Sequence, residues 1–322
     1  MEKAIARIPN WLGDAVMAIP ALKALQKRYQ LTVLGKKWAA ELYDELNFSE
    51  ILTFGKRGEI PGLLKEKKIE LGVLFTNSFS SALLLKLAGV KKLVGYPADL
   101  RGFLLSIKVP LPAEKVHQVD YYKTIAKALV SDADEPLTIQ ISKEKLEKGE
   151  KILKKSGFTF NYPIAGINPG AFYGPAKSWF PERFRELAER LKKRGIQIAV
   201  FGAEREKEVS RWIAEGTGVS FAGWTSIGDL MSIFPHLDVL ITNDSGPMHL
   251  ANALGIPVVA LFGPTDPELT RPYNPGYVLI YKKPPCGPCK RRTCPREKHI
   301  CMSSIEVEEV EEATLNLLNK RD

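Results

Sequence analysis

Residues 142–167 read SKEKLEKGEKILKKSGFTFNYPIAGI, and the fold turns on how this stretch divides. Ser142 to Ser156 carries Lys and Glu at helical spacing with few turn residues, and it stops at Gly157. Ile164–Ile167 is then a short apolar run of the kind that forms a buried strand. The stretch is a helix followed by a restart, which predicts a domain boundary between residues 1–156 and 157–322.

Before the boundary, Ala4–Ile8, Leu31–Leu34, Ile51–Phe54, Leu71–Phe75 and Leu93–Gly95 are near-continuous apolar runs, as in parallel strands covered on both faces. Helical segments fit between them. Asp14 to Tyr29 places Val16, Ile19, Leu22, Leu25 and Tyr29 three or four apart, one stripe against a sheet. Beyond the boundary, Ile164–Ile167, Ile196–Phe201, Val219–Ala222, Val239–Thr242 and Val258–Phe262 read as strands, with a helix over Pro181–Arg194. The pattern is α/β, two Rossmann-like parallel-sheet domains. Such sheets bind ligands beyond the carboxyl ends of their strands, here across a cleft between two such ends.

The chain has 322 residues, 46 Lys and Arg against 37 Asp and Glu, and a net charge of +9. Hydrophobic residues at 45% and charged residues at 26% exclude a disordered or fibrous protein. The basic residues, among them Lys65, Lys67, Lys68, Lys91, Lys92, Lys192 and Lys193, are scattered near acidic neighbours, without aromatic interleaving, so no nucleic-acid partner is expected. Ser245 to Thr265 lacks Asp, Glu, Lys and Arg, but Pro247, Pro257 and Pro264 break it and His249 and Asn252 sit inside it. No membrane span is expected. The start meets Glu2 and Pro9 before any apolar stretch long enough for a signal-peptide core, which predicts a cytoplasmic protein.

Three motifs follow strands. Ile8-Pro-Asn-Trp-Leu-Gly-Asp14 puts Gly13 and Asp14 where a strand turns into a helix, and Asp14 there is either a helix cap or a base. Gly166-Ile-Asn-Pro-Gly-Ala-Phe-Tyr-Gly-Pro-Ala-Lys177-Ser-Trp lacks the P-loop signature but offers loop N–H groups and one ammonium to a diphosphate. Thr242-Asn-Asp-Ser-Gly-Pro-Met-His249 opens a helix whose N-terminus suits an anion and whose Asp244 suits a sugar hydroxyl, or it is an ordinary cap with His249 packed. The absence of Gly-x-Gly-x-x-Gly, Gly-x-Ser-x-Gly and His-Glu-x-x-His patterns argues against dehydrogenases and two hydrolase classes. Cys286, Cys289, Cys294 and Cys301 form a clustered loop that suits a metal, disulfides or free thiols.

PNWLGDAVMAIPAL, LFTNSFSSALLLKLAGVKKLVGY, INPGAFYGPAKSWFPERF, ITNDSGPMHLANALGIPVVALFGPTDP and CGPCKRRTCP together resemble the bacterial lipopolysaccharide heptosyltransferases of glycosyltransferase family 9, over nearly the whole chain. The resemblance implies a GT-B fold with the acceptor held by the first domain and the nucleotide sugar by the second. It implies inverting transfer of heptose from ADP-heptose to the first heptose of the lipid-anchored inner core. Asp14 is then the base, and Lys177 neutralises the leaving diphosphate. Asn168, Gly170, Thr242, Asp244, Ser245, Gly246 and His249 hold the donor, while Gly13, Asn77, Ser78 and Arg101 are the acceptor candidates. No metal is required, with magnesium at most stimulatory. The protein is expected to touch an anionic membrane surface peripherally, at the inner face of the inner membrane. Rival readings are another family 9 acceptor or donor, or a non-catalytic nucleotide-sugar binder of this fold. The cysteine loop is expected to be structural, and a C-terminal helix over about 304–319, with Val307, Val310, Leu315 and Leu318 on its apolar face, to return toward the first domain.

Overall fold

The computed structural model describes residues 1–296 and 299–320, which form two compact units, Met1–Gln140 and Ile141–Asp322. The first holds strands β1 (Glu2–Arg7), β2 (Tyr29–Lys36), β3 (Glu50–Phe54), β4 (Leu71–Leu74), β5 (Lys92–Gly95) and β6 (Ile107–Lys108). The second holds β7 (Ile164–Asn168), β8 (Gln197–Val200), β9 (Gly218–Ser220), β10 (Val239–Asn243), β11 (Val258–Phe262) and β12 (Tyr277–Tyr281). Each is a six-stranded sheet, in the orders β3-β2-β1-β4-β5-β6 and β9-β8-β7-β10-β11-β12. All pairings are parallel, with Ala4 beside both Leu31 and Leu71, and Val239 beside Ala165.

The order is the same in both units, and in both the chain reverses direction beside the first strand. That reversal leaves a crevice at the carboxyl ends of β1 and β4, and of β7 and β10, which is where open α/β sheets bind ligands. The central strands are apolar throughout because helices cover both faces, and β7, β10 and β11 are buried along their whole length.

Strands β6 and β12 were not anticipated. Both are edge strands, with little apolar burial to mark them. The stripe expected from Asp14 to Tyr29 is broken into helices Leu12–Met17 and Ile19–Gln26, and Tyr29 already belongs to β2. Pro20 is the cause: it has no N–H to return to the preceding turn.

The helix Lys143–Lys155 belongs to the second unit, so the division precedes it instead of falling at 156/157. Its Gly149 meets the helix Ile227–Ile233 so closely that a Cβ would come within 1.9 Å of the Ser232 carbonyl oxygen. Lys148 pairs with Asp229 at 2.7 Å, and His236 Nε2 lies 2.9 Å from the Leu146 carbonyl oxygen. The C-terminal helix Val307–Leu318, expected to turn toward the first domain, buries Val307, Val310, Ala313 and Leu317 in the core of the second sheet. Leu315 and Leu318 are only partly buried against that core. Glu311 on this helix accepts from Nε of Arg194, the C-cap residue of the helix Pro181–Lys193, at 2.7 Å. Trp179 anchors the same core, its Nε1–H donated to the Ile305 carbonyl at 3.0 Å and its ring edge-on to Phe184.

Candidate active site

In the first unit, the chain leaves β1 and enters the helix Leu12–Met17, with Trp11 at the N-cap and Asp14 in the first turn. The Asp14 carboxylate is not the cap. It accepts the Tyr122 hydroxyl at 2.9 Å. Tyr122 is buried under Phe75, and desolvation together with the Asp14 charge pushes its pKa well above the usual tyrosine value, so it stays a proton donor. Arg7, at the end of β1, fixes the approach to Asp14. Its guanidinium donates to the Ile8 carbonyl and to Asn10 Oδ1 (2.6 Å) and stacks on Phe54. Burial, with the nearby Arg57 charge, lowers its pKa to about 10.

Asn77 and Ser78 follow β4 on the other side of the crevice. Asn77 Nδ2 donates to the Tyr121 hydroxyl at 2.9 Å, and Ser78 is the N-cap residue of the helix Phe79–Leu87, with its hydroxyl 3.1 Å from Ser81 Oγ. Adjacent tyrosines on the helix Gln118–Lys127 therefore grip both loops, Tyr121 the Asn77 loop and Tyr122 the Asp14 loop. Arg101 is fully buried. It donates to the carbonyls of Tyr96 and Thr76 and to Asn77 Oδ1 (3.4 Å). Its guanidinium therefore braces Asn77 instead of presenting itself as a ligand, and burial lowers its pKa to about 10.

In the second unit, Lys177 Nζ lies 2.6 Å from Asp244 Oδ2, and the Thr265 hydroxyl donates to the same oxygen at 2.6 Å. The ammonium also sits 4.9 Å from the Tyr173 ring centroid. Asn168, at the end of β7, points its Nδ2 at Thr242 Oγ1, Ser245 Oγ and the Gly170 carbonyl, each at 3.3 Å. Ser245 is the N-cap residue of the helix Gly246–Ala253 and makes no side-chain cap bond; His249 is buried within that helix. Asn168, Gly170, Thr242 and Ser245 thus form one hydrogen-bonded group at the β7/β10 crevice with the Lys177–Asp244 ion pair beside it, while Gly246 and His249 follow on the helix. A cavity of about 330 Å³ beside it is lined by Gly170, Phe172, Trp179, Arg205 and Val209. A larger hollow of about 600 Å³ lies at the amino ends of β1–β3, near Lys3, Gln30 and Glu50, at the end of the first sheet opposite its crevice.

A family model described as glycosyltransferase family 9 (heptosyltransferase) matches residues 61–300. The chain belongs to that family. This glycosyltransferase is 30% identical over 298 residues to lipopolysaccharide heptosyltransferase 2 of Escherichia coli K12, spanning 83% of this chain and 84% of that one. It is also 30% identical over 338 residues to lipooligosaccharide heptosyltransferase 2 of Campylobacter jejuni, spanning 98% of both. Among solved structures, that of E. coli ADP-heptose lps heptosyltransferase II superposes over 99% of both chains with a TM-score of 0.84 at 27% identity. The two sheets are those of the GT-B fold.

In this family 9 glycosyltransferase the cysteine loop is built onto the lysine loop. Arg292 O accepts the Ala176 N–H at 3.0 Å, Lys290 O accepts the Tyr173 hydroxyl at 2.5 Å, and His299 Nε2 lies 2.9 Å from the Ala176 carbonyl oxygen. All four cysteines are unpaired thiols, and among the described residues no three His, Cys, Asp or Glu are placed to hold a metal ion. Burial, with the other three thiols nearby, pushes Cys301 up to about 11. The sequence reading missed Tyr121, Tyr122, Arg7 and Thr265. A charged residue inside the apolar run AIARI was the one available signal, for Arg7.

Proposed function

We propose that this glycosyltransferase moves L-glycero-D-manno-heptose from ADP-heptose to the first heptose of the lipopolysaccharide inner core, with inversion at the transferred carbon. The observation that carries the roles is the contrast between the two crevices: one presents a carboxylate held by a neutral phenol, the other an ammonium held by a carboxylate. Asp14 takes the proton of the acceptor hydroxyl as its oxygen bonds to the anomeric carbon. The bond from that carbon to the diphosphate breaks, and its electron pair leaves with ADP. Lys177 meets the charge that grows there, and the N-terminus of the helix Gly246–Ala253 adds backbone N–H groups.

Asp244 holds Lys177 in the free protein, and it accepts from sugar hydroxyls once the diphosphate takes the ammonium. Asn168, Thr242 and Ser245 stiffen that loop from below. Asn77 and Ser78 receive the acceptor, with Gly13 next to Asp14 on its helix and Arg101 fixing Asn77. The acceptor is lipid-anchored, so the protein works at the cytoplasmic face of the inner membrane, held by its positive charge. Among the described residues no helix is long and apolar enough to cross a membrane.

The test is to incubate the protein with ADP-heptose and heptose-truncated lipopolysaccharide and to follow ADP release and product mass. One added heptose per ADP is the expected outcome, and ADP release without a heptosylated product would sink the acceptor assignment. Running the assay with chelator and with magnesium separates a requirement from a stimulation.

A further inference from the structure

One flank of the first sheet exposes apolar side chains that no core accounts for. Leu83 and Leu87 lie one turn apart on the helix Phe79–Leu87, and Leu87 is 67% exposed. Phe103 is 75% exposed, with its ring 6.1 Å from that of Phe79 on the same helix. Leu100 is 89% exposed and holds a left-handed backbone, φ 57°, directly after Asp99 at φ 50°. A branched residue in that conformation is strained, and here the strain places an apolar side chain in solvent. The tip is not frayed. Asp99 Oδ2 accepts the Phe79 N–H at 2.6 Å, pinning the turn to the start of the helix.

Cations border these side chains, with Arg57 exposed at the start of the helix and Lys86 near its end. Arg57 reaches Ser80 Oγ on the helix at 3.2 Å, and Lys86 lies on the helix beside Leu83 and Leu87. A second copy of the chain would bring like charge against like charge. An anionic surface is complementary, and apolar side chains ringed by cations match the border of head groups and acyl chains.

We propose that this face rests on an anionic lipid bilayer, with Leu100 and Phe103 entering the head-group region and Arg57 and Lys86 meeting lipid phosphates. This rests on the reading of a lipid-anchored acceptor given above. The turn that lifts Leu100 outward sends Arg101 inward to Asn77, so the lipid-facing tip and the acceptor loop are one piece of structure.

Vesicle cosedimentation of the full chain tests it, using phosphatidylethanolamine mixed with phosphatidylglycerol, and phosphatidylcholine alone. The double variant L100S/F103S is expected to lower partition into the anionic vesicles roughly tenfold or more, while turnover of a delipidated, water-soluble acceptor stays unchanged. R57Q/K86Q should lower partition and flatten its salt dependence. If the native protein ignores both vesicle types, the peripheral-membrane reading itself fails. If it binds anionic vesicles and both variants bind equally well, that reading stands and this surface is wrong. A native dimer that L100S/F103S turns into a monomer makes the patch a subunit contact and overturns the proposal.

Discussion

Asp14 and Lys177 each carry a partner that predicts how its removal should look. Asp14→Asn keeps the size of the side chain and loses the base, so kcat should fall by roughly 10²–10⁴ while donor affinity stays within a few-fold; unchanged kcat in steady-state assays would return Asp14 to a structural role. Tyr122→Phe removes a donor to the charged carboxylate. Without that hydrogen bond the carboxylate loses its fixed orientation, so kcat should fall while ADP-heptose affinity stays within a few-fold, as read by steady-state kinetics and calorimetry. Lys177→Ala should weaken ADP and ADP-heptose and hardly touch adenosine, as read by calorimetry, because the ammonium recognises charge. It also strips Asp244, 5% exposed, of its cation, so Lys177→Ala should destabilise the protein more than the double variant with Asp244→Asn. Asp14, Lys177 and Asp244 stood out in the sequence because each lies where a strand passes through a turn toward a helix, and Lys177 and Asp244 come together in the folded chain. Tyr121 and Tyr122 did not, because they reach the site from a helix more than a hundred residues along from Asp14 and no local pattern marks them. Arg101 looked like a ligand, since a sequence shows its charge and hides its burial.

At the scale of elements, two glycines act as contacts. Gly149→Ala would ordinarily favour a helix by about 1 kcal/mol. Here the added methyl meets backbone, and overpacking of this kind costs about 1–3 kcal/mol or more, so the clash should win and the urea midpoint should drop. Gly174 has φ 156°, and a Cβ there would come within 2.4 Å of the Arg292 carbonyl oxygen, so Gly174→Ala should push the cysteine loop off the lysine loop. The same seam changes the expectation for the cysteines. Replacing all four with serine should lower the melting temperature, as a purely structural loop requires, and should also raise KM for ADP-heptose, because Lys290 and Arg292 hold Tyr173 and Ala176 beside Lys177. Apolar runs identified ten of the twelve strands among the described residues; β6, two residues long, and β12 lie at sheet edges, where burial writes little into the sequence. The charged helix Lys143–Lys155 read as a divider because it buries only Gly149 and Leu153, and its closest approach to the helix Ile227–Ile233 is made by a glycine, which leaves no side-chain signature.

Across the whole molecule, buried phenols set an alkaline limit. Tyr43, donating to the Ala15 carbonyl at 2.9 Å, and Tyr122 both have pKa values raised by burial. An unfolded tyrosine ionises near 10, so their stabilisation is complete below that pH and is lost as pH rises beyond it. Melting temperatures should fall steeply once pH rises past about 10, and Tyr43→Phe should flatten the fall; an unchanged slope would remove Tyr43 as a cause. The contact between Gly149 and Ser232 also decides where two related chains can be recombined. A crossover after residue 156 would graft one parent's helix onto the other parent's Ser232 carbonyl, at a spacing that tolerates no misfit. A crossover between Gln140 and Ile141 inherits both sides of the contact from one parent, so libraries that mix first units with second units should yield folded chimeras at that junction and mostly aggregates at the later one.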